Sequence, residues 1–204
     1  MSNTAPASIR RLQRLDEEQI SALADLLIDC IDGGAGVSFL HPLAPEKARA
    51  FWRRVAADVE TGSRALLLAE DDTGIVGTVQ LGLDQPENQP HRADLVKLLV
   101  KRRTRGRGVG TALLAAAEEA ARSCGKSLLV LDTNEGSDAE RLYARNGWVR
   151  VGAIPNYSLK PRGGELQPTV VFYKIIELQG LATPAAASAS RGRTRDDGKT
   201  RHCS

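Results

Sequence analysis

The stretch RRTRGRGVGTALL, residues 102–114, limits the fold more than any other, because an apolar run, LVKLLV (95–100), enters it and an alanine-rich helix-forming run leaves it. A strand, a glycine loop and a helix in that order gather backbone N–H groups and the positive helix end at one point, an arrangement that binds anions. The first nine of these residues hold four arginines and three glycines. Three readings follow: a basic patch for nucleic acid, a loop that cradles a phosphate, or a solvated loop before a helix.

Charge separates them. The formal net charge is +3, but residues 179–204 carry Arg191, Arg193, Arg195, Lys199 and Arg201 against Asp196 and Asp197, so all of it lies in the tail. The body is formally neutral, whereas duplex binding needs a basic face on the domain itself. We therefore expect no nucleic-acid partner. The tail is rich in Ala, Ser, Gly and charge without apolar periodicity, and residues 179–204, like 1–7, are expected to be unstructured. That leaves one domain over 8–178. The longest apolar runs, such as ALLLA (65–69), fall far short of the roughly 20 residues that span a bilayer. Cys30, Cys124 and Cys203 are too scattered for a disulfide framework or a zinc site. Neither a metal nor a membrane is expected, the N-terminus has no apolar segment ending in a small-residue cleavage site, and the expected location is the cytoplasm.

Apolar spacing predicts strands at 8–15, 64–71, 74–83, 91–100 and 126–133, with Asp71-Asp72-Thr73-Gly74 as a hairpin turn. It predicts helices over 16–34, over 45–62 with Pro45 at the first position, over 109–125, and over 138–147 behind a Ser137–Glu140 capping box. WVRVG (148–152) and TVVFYKII (169–176) read as two final strands joined by a long Pro/Gly-rich loop. The order β-α-α-β-β-β-α-β-α-β-β implies an α/β (α+β) fold, a mixed sheet with helices on both faces.

Two familiar phosphate loops fail here. A Walker A loop needs Gly-Lys-Ser/Thr where Gly110 is followed by Thr111-Ala112, and a Rossmann fingerprint needs glycine at position 111. The stretch does match R-x-x-G-x-G, Arg105 to Gly110, and LYARNGW (142–148) follows at a distance filled by one helix and one strand. Together these resemble the GNAT superfamily of acyl-CoA-dependent N-acetyltransferases. GGAGVSFL (33–40), ADLVKLLV (93–100), LDTNEGSDAERLY (131–143) and GELQPTVVFYK (164–174) resemble its tabtoxin-resistance acetyltransferases more narrowly. The likeness covers roughly residues 8–177 and implies a mostly antiparallel sheet of about seven strands with four helices.

The resemblance also implies a site. Backbone at Leu98, Leu99 and Val100 would pair with the pantetheine arm of acetyl-CoA, the co-substrate, while Arg105, Gly106, Arg107, Gly108, Gly110 and Thr111 bind its phosphates. Many family members have an Asn at the position of Gly136, so Asn134 and Ser137 are the substitutes for that contact. Tyr143 matches the tyrosine that protonates the departing thiolate, and a phenol of pKa near 10 suits that task. Asp132 and Asp94 are the candidate bases for a substrate ammonium, which has no lone pair of its own. Val37, Phe39 and Tyr157, with Ile154, would shape the acceptor pocket. The implied activity is acetyl transfer to a primary amine of a small molecule, amino-acid-like or a toxin or antibiotic, by direct attack in a ternary complex. A protein lysine or N-terminus as acceptor, and a non-catalytic acyl-CoA-binding module, are the alternatives. The expected state is a monomer or homodimer.

Overall fold

The computed structural model describes residues 7–178, so the tail and residues 1–6 lie outside the described residues. Strand β1 (Ser8–Leu12) leads into helix α1 (Glu17–Asp32). Asp16 caps α1 by accepting the Gln19 N–H, and the Gln19 side chain accepts the Asp16 N–H in return, a reciprocal box whose cap is worth about 1 kcal/mol. Helix α2 (Pro45–Glu60) starts on Pro45, where the missing N–H costs nothing. Strands β2 (Arg64–Asp71) and β3 (Gly74–Gly82) form the expected hairpin, its turn held by Asp71 Oδ1 accepting the Thr73 N–H at 2.8 Å. Then come β4 (Arg92–Val100), α3 (Val109–Ser123), β5 (Leu128–Asn134), α4 (Asp138–Arg145), β6 (Val149–Leu159) and β7 (Leu166–Ile175).

The seven strands form one sheet in the order β1-β2-β3-β4-β5-β7-β6. Every pairing is antiparallel except β4 with β5, the pair joined through α3. Alternation along the central strands divides the core. Leu66, Leu68 and Leu99 pack under α1 and α2 with Leu23, Leu27 and Trp52. Ala65, Leu67, Leu95, Leu129 and Leu131 pack on the other face under α3 and α4 with Leu113, Tyr143 and Phe172. The helices cover both faces, as the resemblance implies.

Two details depart from the sequence reading. The Pro/Gly-rich loop at 153–168 is mostly strand: β6 runs to Leu159, β7 starts at Leu166, and only 160–165 turn. Pro155 is tolerated because β6 is the sheet edge and its register slips between Ile154 and Ser158, where Asn156 takes φ 55°. At α4, Ser137 accepts the Glu140 N–H at 3.1 Å, but the Glu140 carboxylate takes the Gly136 N–H instead of closing the box.

Candidate active site

The parallel pairing of β4 and β5 is short. It holds Arg92↔Leu128, Ala93↔Leu129 and Asp94↔Val130 and then stops. Beyond it β5 stays with β7 as far as Asn134↔Thr169, and β4 stays with β3 as far as Val100↔Gly77. The strands therefore splay, and the β5-facing edge of Leu95–Val100 has no strand partner. A bulge helps to turn β4 away: Val96 pairs with Gln80 and Leu99 with Thr78, so Lys97 and Leu98 together face Val79, and Lys97 takes φ 54°. Leu98 and Val100 pack toward the α3/α4 core and Leu99 is buried in the other. The three residues thus line the split by backbone rather than by free side chains.

The glycine loop lies at the end of β4. Gly106 and Gly108 have φ 74° and 83°, and Gly108 is the cap residue of α3 with no side-chain cap. Among the described residues, the amides of Gly106, Arg107 and Gly108 donate to no protein acceptor. The first-turn amides of Val109, Gly110 and Thr111 are orphans by helix geometry. Gly110 serves packing: a Cβ there would lie 2.9 Å from Leu142 Cδ2, so its absence lets α3 approach α4. Of the arginines, Arg105 donates to the Val100 carbonyl at 3.1 Å, Arg102 pairs with Asp29 at 2.9 Å and Arg103 donates to Thr73. Arg107 is exposed on the loop.

Tyr143 stands on α4 in the α3/α4 core, its ring edge-on to Trp148 at 5.7 Å and tilted to Phe172 at 6.1 Å. Burial, and secondarily the charge of Asp132, push its phenol well above the usual tyrosine range. The hydroxyl therefore keeps its proton at neutral pH, and it has no protein hydrogen-bond partner among the described residues.

Asp132 sits on β5 beyond the last paired residue, exposed, with Oδ2 accepting the Thr169 hydroxyl at 2.9 Å. Its charge acts on both Tyr143 and Lys97. Asp94 is in a different situation. It lies where the strands are still paired, about 10 Å along β4 from the bulge, and its carboxylate is engaged by Arg92 on one oxygen and Gln85 on the other. Asp132 thus lies two residues beyond the end of the β4–β5 pairing, and Asp94 lies at its last pair. The other two polar candidates are also occupied locally: Ser137 caps α4, and the Asn134 amide packs against Gly36, where a Cβ would lie 2.1 Å from Nδ2.

The segment 33–44 between α1 and α2 forms a strap on the α1/α2 side. It meets β5 through Gly36 and Asn134, β4 through Ser38 and Lys97, and the β6–β7 turn through the His41 N–H donating to the Pro161 carbonyl at 2.7 Å. Val37 and Phe39 pack inward from it, Phe39 edge-on to Phe51 at 5.3 Å. Tyr157 and Ile154 stand largely exposed on β6. Lys97, which sequence reasoning did not single out, also lies on this side. Its Nζ donates to Ser38 Oγ at 3.2 Å and lies 5.9 Å over the Phe51 ring. Burial lowers its pKa, and Asp132 partly opposes that shift. The available signal was one lysine inside an apolar strand.

Known proteins share this architecture. The chain is 30% identical over 130 residues to an N-acetyltransferase from the hisH-hisA intergenic region of Azospirillum brasilense, covering 63% of this chain and 76% of that one. It is 30% identical over 173 residues to human N-acetyltransferase 8B, covering 74% and 76%. It superposes on Salmonella typhimurium yncA, solved with its cofactor acetyl-CoA, with a TM-score of 0.69 at 18% identity, covering 89% of this chain and 99% of that one. Residues 24–148, from α1 through Tyr143 to Trp148, match the acetyltransferase (GNAT) family, and the chain belongs to that family as an acyltransferase.

Proposed function

We propose that the chain moves the acetyl group of acetyl-CoA to a primary amine of a small, amino-acid-like molecule by direct attack, with both ligands bound at once. The observation that carries the reading is the split between β4 and β5, which has Tyr143 on its α3/α4 side and Asp132 on its α1/α2 side. Acetyl-CoA supplies an acyl group activated as a thioester. The fit to it rests on the free amides of 106–108, the left-handed Gly106 and Gly108, and the unpaired edge of β4. Those amides, with 109–111 and the exposed Arg107, bind the pyrophosphate. The edge at Leu98–Val100 accepts an amide-bearing arm as an added strand.

The remaining chemistry is proton traffic. A C–N bond forms and a C–S bond breaks, so the amine must lose protons and the sulfur must gain one. Asp132 takes a proton from the acceptor ammonium, directly or through a water, and so frees the lone pair. Tyr143 donates a proton to the departing sulfur and is replenished by the second proton that the nitrogen sheds as the C–N bond forms, while Asp132 passes its proton to solvent. The tyrosine hydroxyl is suited to this because it is protonated and has no competing protein partner among the described residues.

The strap supports a small acceptor over a protein one, since its contacts with β4, β5 and the β6–β7 turn oppose a long open groove. The narrower likeness to tabtoxin-resistance enzymes favours a toxin or antibiotic amino acid, acted on in the cytoplasm by a domain spanning 8–178, as monomer or homodimer. The test is thiol release from acetyl-CoA across a library of small amines, including β-lactam amino acids, with peptide N-termini and lysines alongside. Release with small amines is expected; release with peptides alone would reject the reading.

A further inference from the structure

We propose that Lys97 binds an anionic group of the acceptor, a carboxylate, so that the substrate is a zwitterion whose ammonium faces Asp132 and whose carboxylate faces Lys97. The inference rests on the reading of the split as the active centre and adds to it the chemical class of the acceptor.

The position of Lys97 is the first observation. Leu95 faces α3 and α4, whereas Leu99, four residues on, faces α1 and α2. A regular strand would put both on one face. The change of face is made at the Lys97–Leu98 bulge, with Lys97 at φ 54°, a conformation unusual for a side-chain-bearing residue, and such conformations cluster at working sites. The bulge delivers Lys97 to the acceptor side of the split, between Phe51 of α2 and Ser38 of the strap.

The unfinished coordination of its ammonium is the second. Lys126 shows how this fold satisfies an inward lysine for structure: its Nζ donates to the Leu83 and Pro90 carbonyls at 2.9 and 2.8 Å. Lys174 likewise donates to Glu118 at 2.5 Å and to the Asn146 carbonyl at 2.8 Å. Lys97 has three N–H donors and, among the described residues, spends one on the Ser38 hydroxyl and none on a carboxylate or carbonyl. Asp132 is near enough for its charge to be felt but closes no ion pair with it. Opposite charges therefore stand apart at the split, one on β4 and one on β5.

The surroundings favour an anion. Arg64 adds positive potential at Lys97, while its own guanidinium is held by Asp58 and Gln80. The lysine is half-buried beside the Phe51 ring and the strap, and its reduced hydration strengthens its attraction for an incoming carboxylate. A second ammonium, as in a diamine or a basic peptide, would be repelled at the same place.

Matched pairs of amines test this: phenylalanine with phenethylamine, 4-aminobutyrate with butylamine, and lysine with cadaverine, followed by thiol release from acetyl-CoA. We expect the carboxylate member of at least one pair to have the higher kcat/KM, by about ten- to hundred-fold, the span of one hydrogen bond to a charged group. Lys97→Met should erase that preference through KM, and Lys97→Arg should keep most of it. Equal turnover within every pair by the wild-type enzyme overturns the proposal while leaving a small-amine acetyltransferase in place, and so does a preference that survives in Lys97→Met. Turnover of no small amine by a protein that still binds acetyl-CoA overturns both readings. The wild-type comparison decides the matter even if the methionine variant does not fold.

Discussion

Replacing Tyr143 by Phe separates the chemistry of this residue from its packing. The ring is 5% exposed and contacts Trp148 and Phe172, so truncation to Ala would cost about 3–5 kcal/mol. Phe keeps those ring contacts. What it loses is a hydroxyl with no protein hydrogen bond among the described residues, whose removal should change stability by less than about 1 kcal/mol. A general acid contributes roughly 10²–10⁴ in rate, and its loss should lower kcat by about 100-fold or more, or some 2.7 kcal/mol in the barrier. Acetyl-CoA affinity, by titration calorimetry, should barely move. The pH dependence gives a second readout. The folded-state pKa lies above the unfolded value of about 10, so the stability linked to this proton is fully present below pH 10 and is lost as pH rises through the folded value. The wild type should therefore lose stability above pH 10 more steeply than Tyr143→Phe. An unchanged kcat with a melting temperature lowered by several degrees would refute the argument and make Tyr143 a core residue only.

Three further substitutions probe other parts of the machinery. Asp132→Asn keeps an acceptor for the Thr169 hydroxyl but removes the charge, and should lower kcat/KM by about 100-fold with little change in melting temperature; full activity at neutral pH would exclude Asp132 as the base. Gly110→Ala places a methyl 2.9 Å from Leu142 Cδ2, the end of a half-buried side chain that can turn aside, so the cost should be about 1 kcal/mol or less. The melting temperature should fall by only a few degrees with kcat near the wild-type value; a large joint loss of stability and kcat would show that α4 itself has to shift. Lys126→Met leaves the Leu83 and Pro90 carbonyls without their donor, at a cost of roughly 3 kcal/mol. That should lower the melting temperature by about 6–12 °C and leave kcat near the wild-type value.

Most of the fold was legible because its elements announce themselves locally. Pro45, the Asp71–Gly74 turn and Ser137 each mark a boundary that the structure keeps. The misread stretch, 153–168, carries Pro155 and two adjacent glycines, which signal a loop unless the strand is known to be an edge, and edge status is a property of the whole sheet. The site was legible in part. Asp94 and Asp132 have equal standing as single acids in apolar strands, and only the register of β4 on β5, ending at Asp94↔Val130, tells which of them borders the opening. Lys97 was illegible for a related reason. ADLVKLLV contains none of the glycine or asparagine that usually marks a left-handed residue, so nothing in it announces a bulge.

The arginines of the glycine loop take their meaning from what they hold. Arg102 ties the start of the loop to α1 through Asp29, using both its backbone N–H and its side chain. Arg103 reaches Thr73 in the β2–β3 turn, and Arg105 folds back on the Val100 carbonyl. Three of the four charges thus fasten the loop to elements on either side of it. Under the proposed reading, fastening also serves binding. A loop already fixed with its amides free loses less conformational freedom when an anion arrives, so more of the interaction energy appears as affinity. The basic character that first suggests a nucleic-acid surface is, for Arg102, Arg103 and Arg105, what holds in place the loop that carries the amides of Gly106, Arg107 and Gly108.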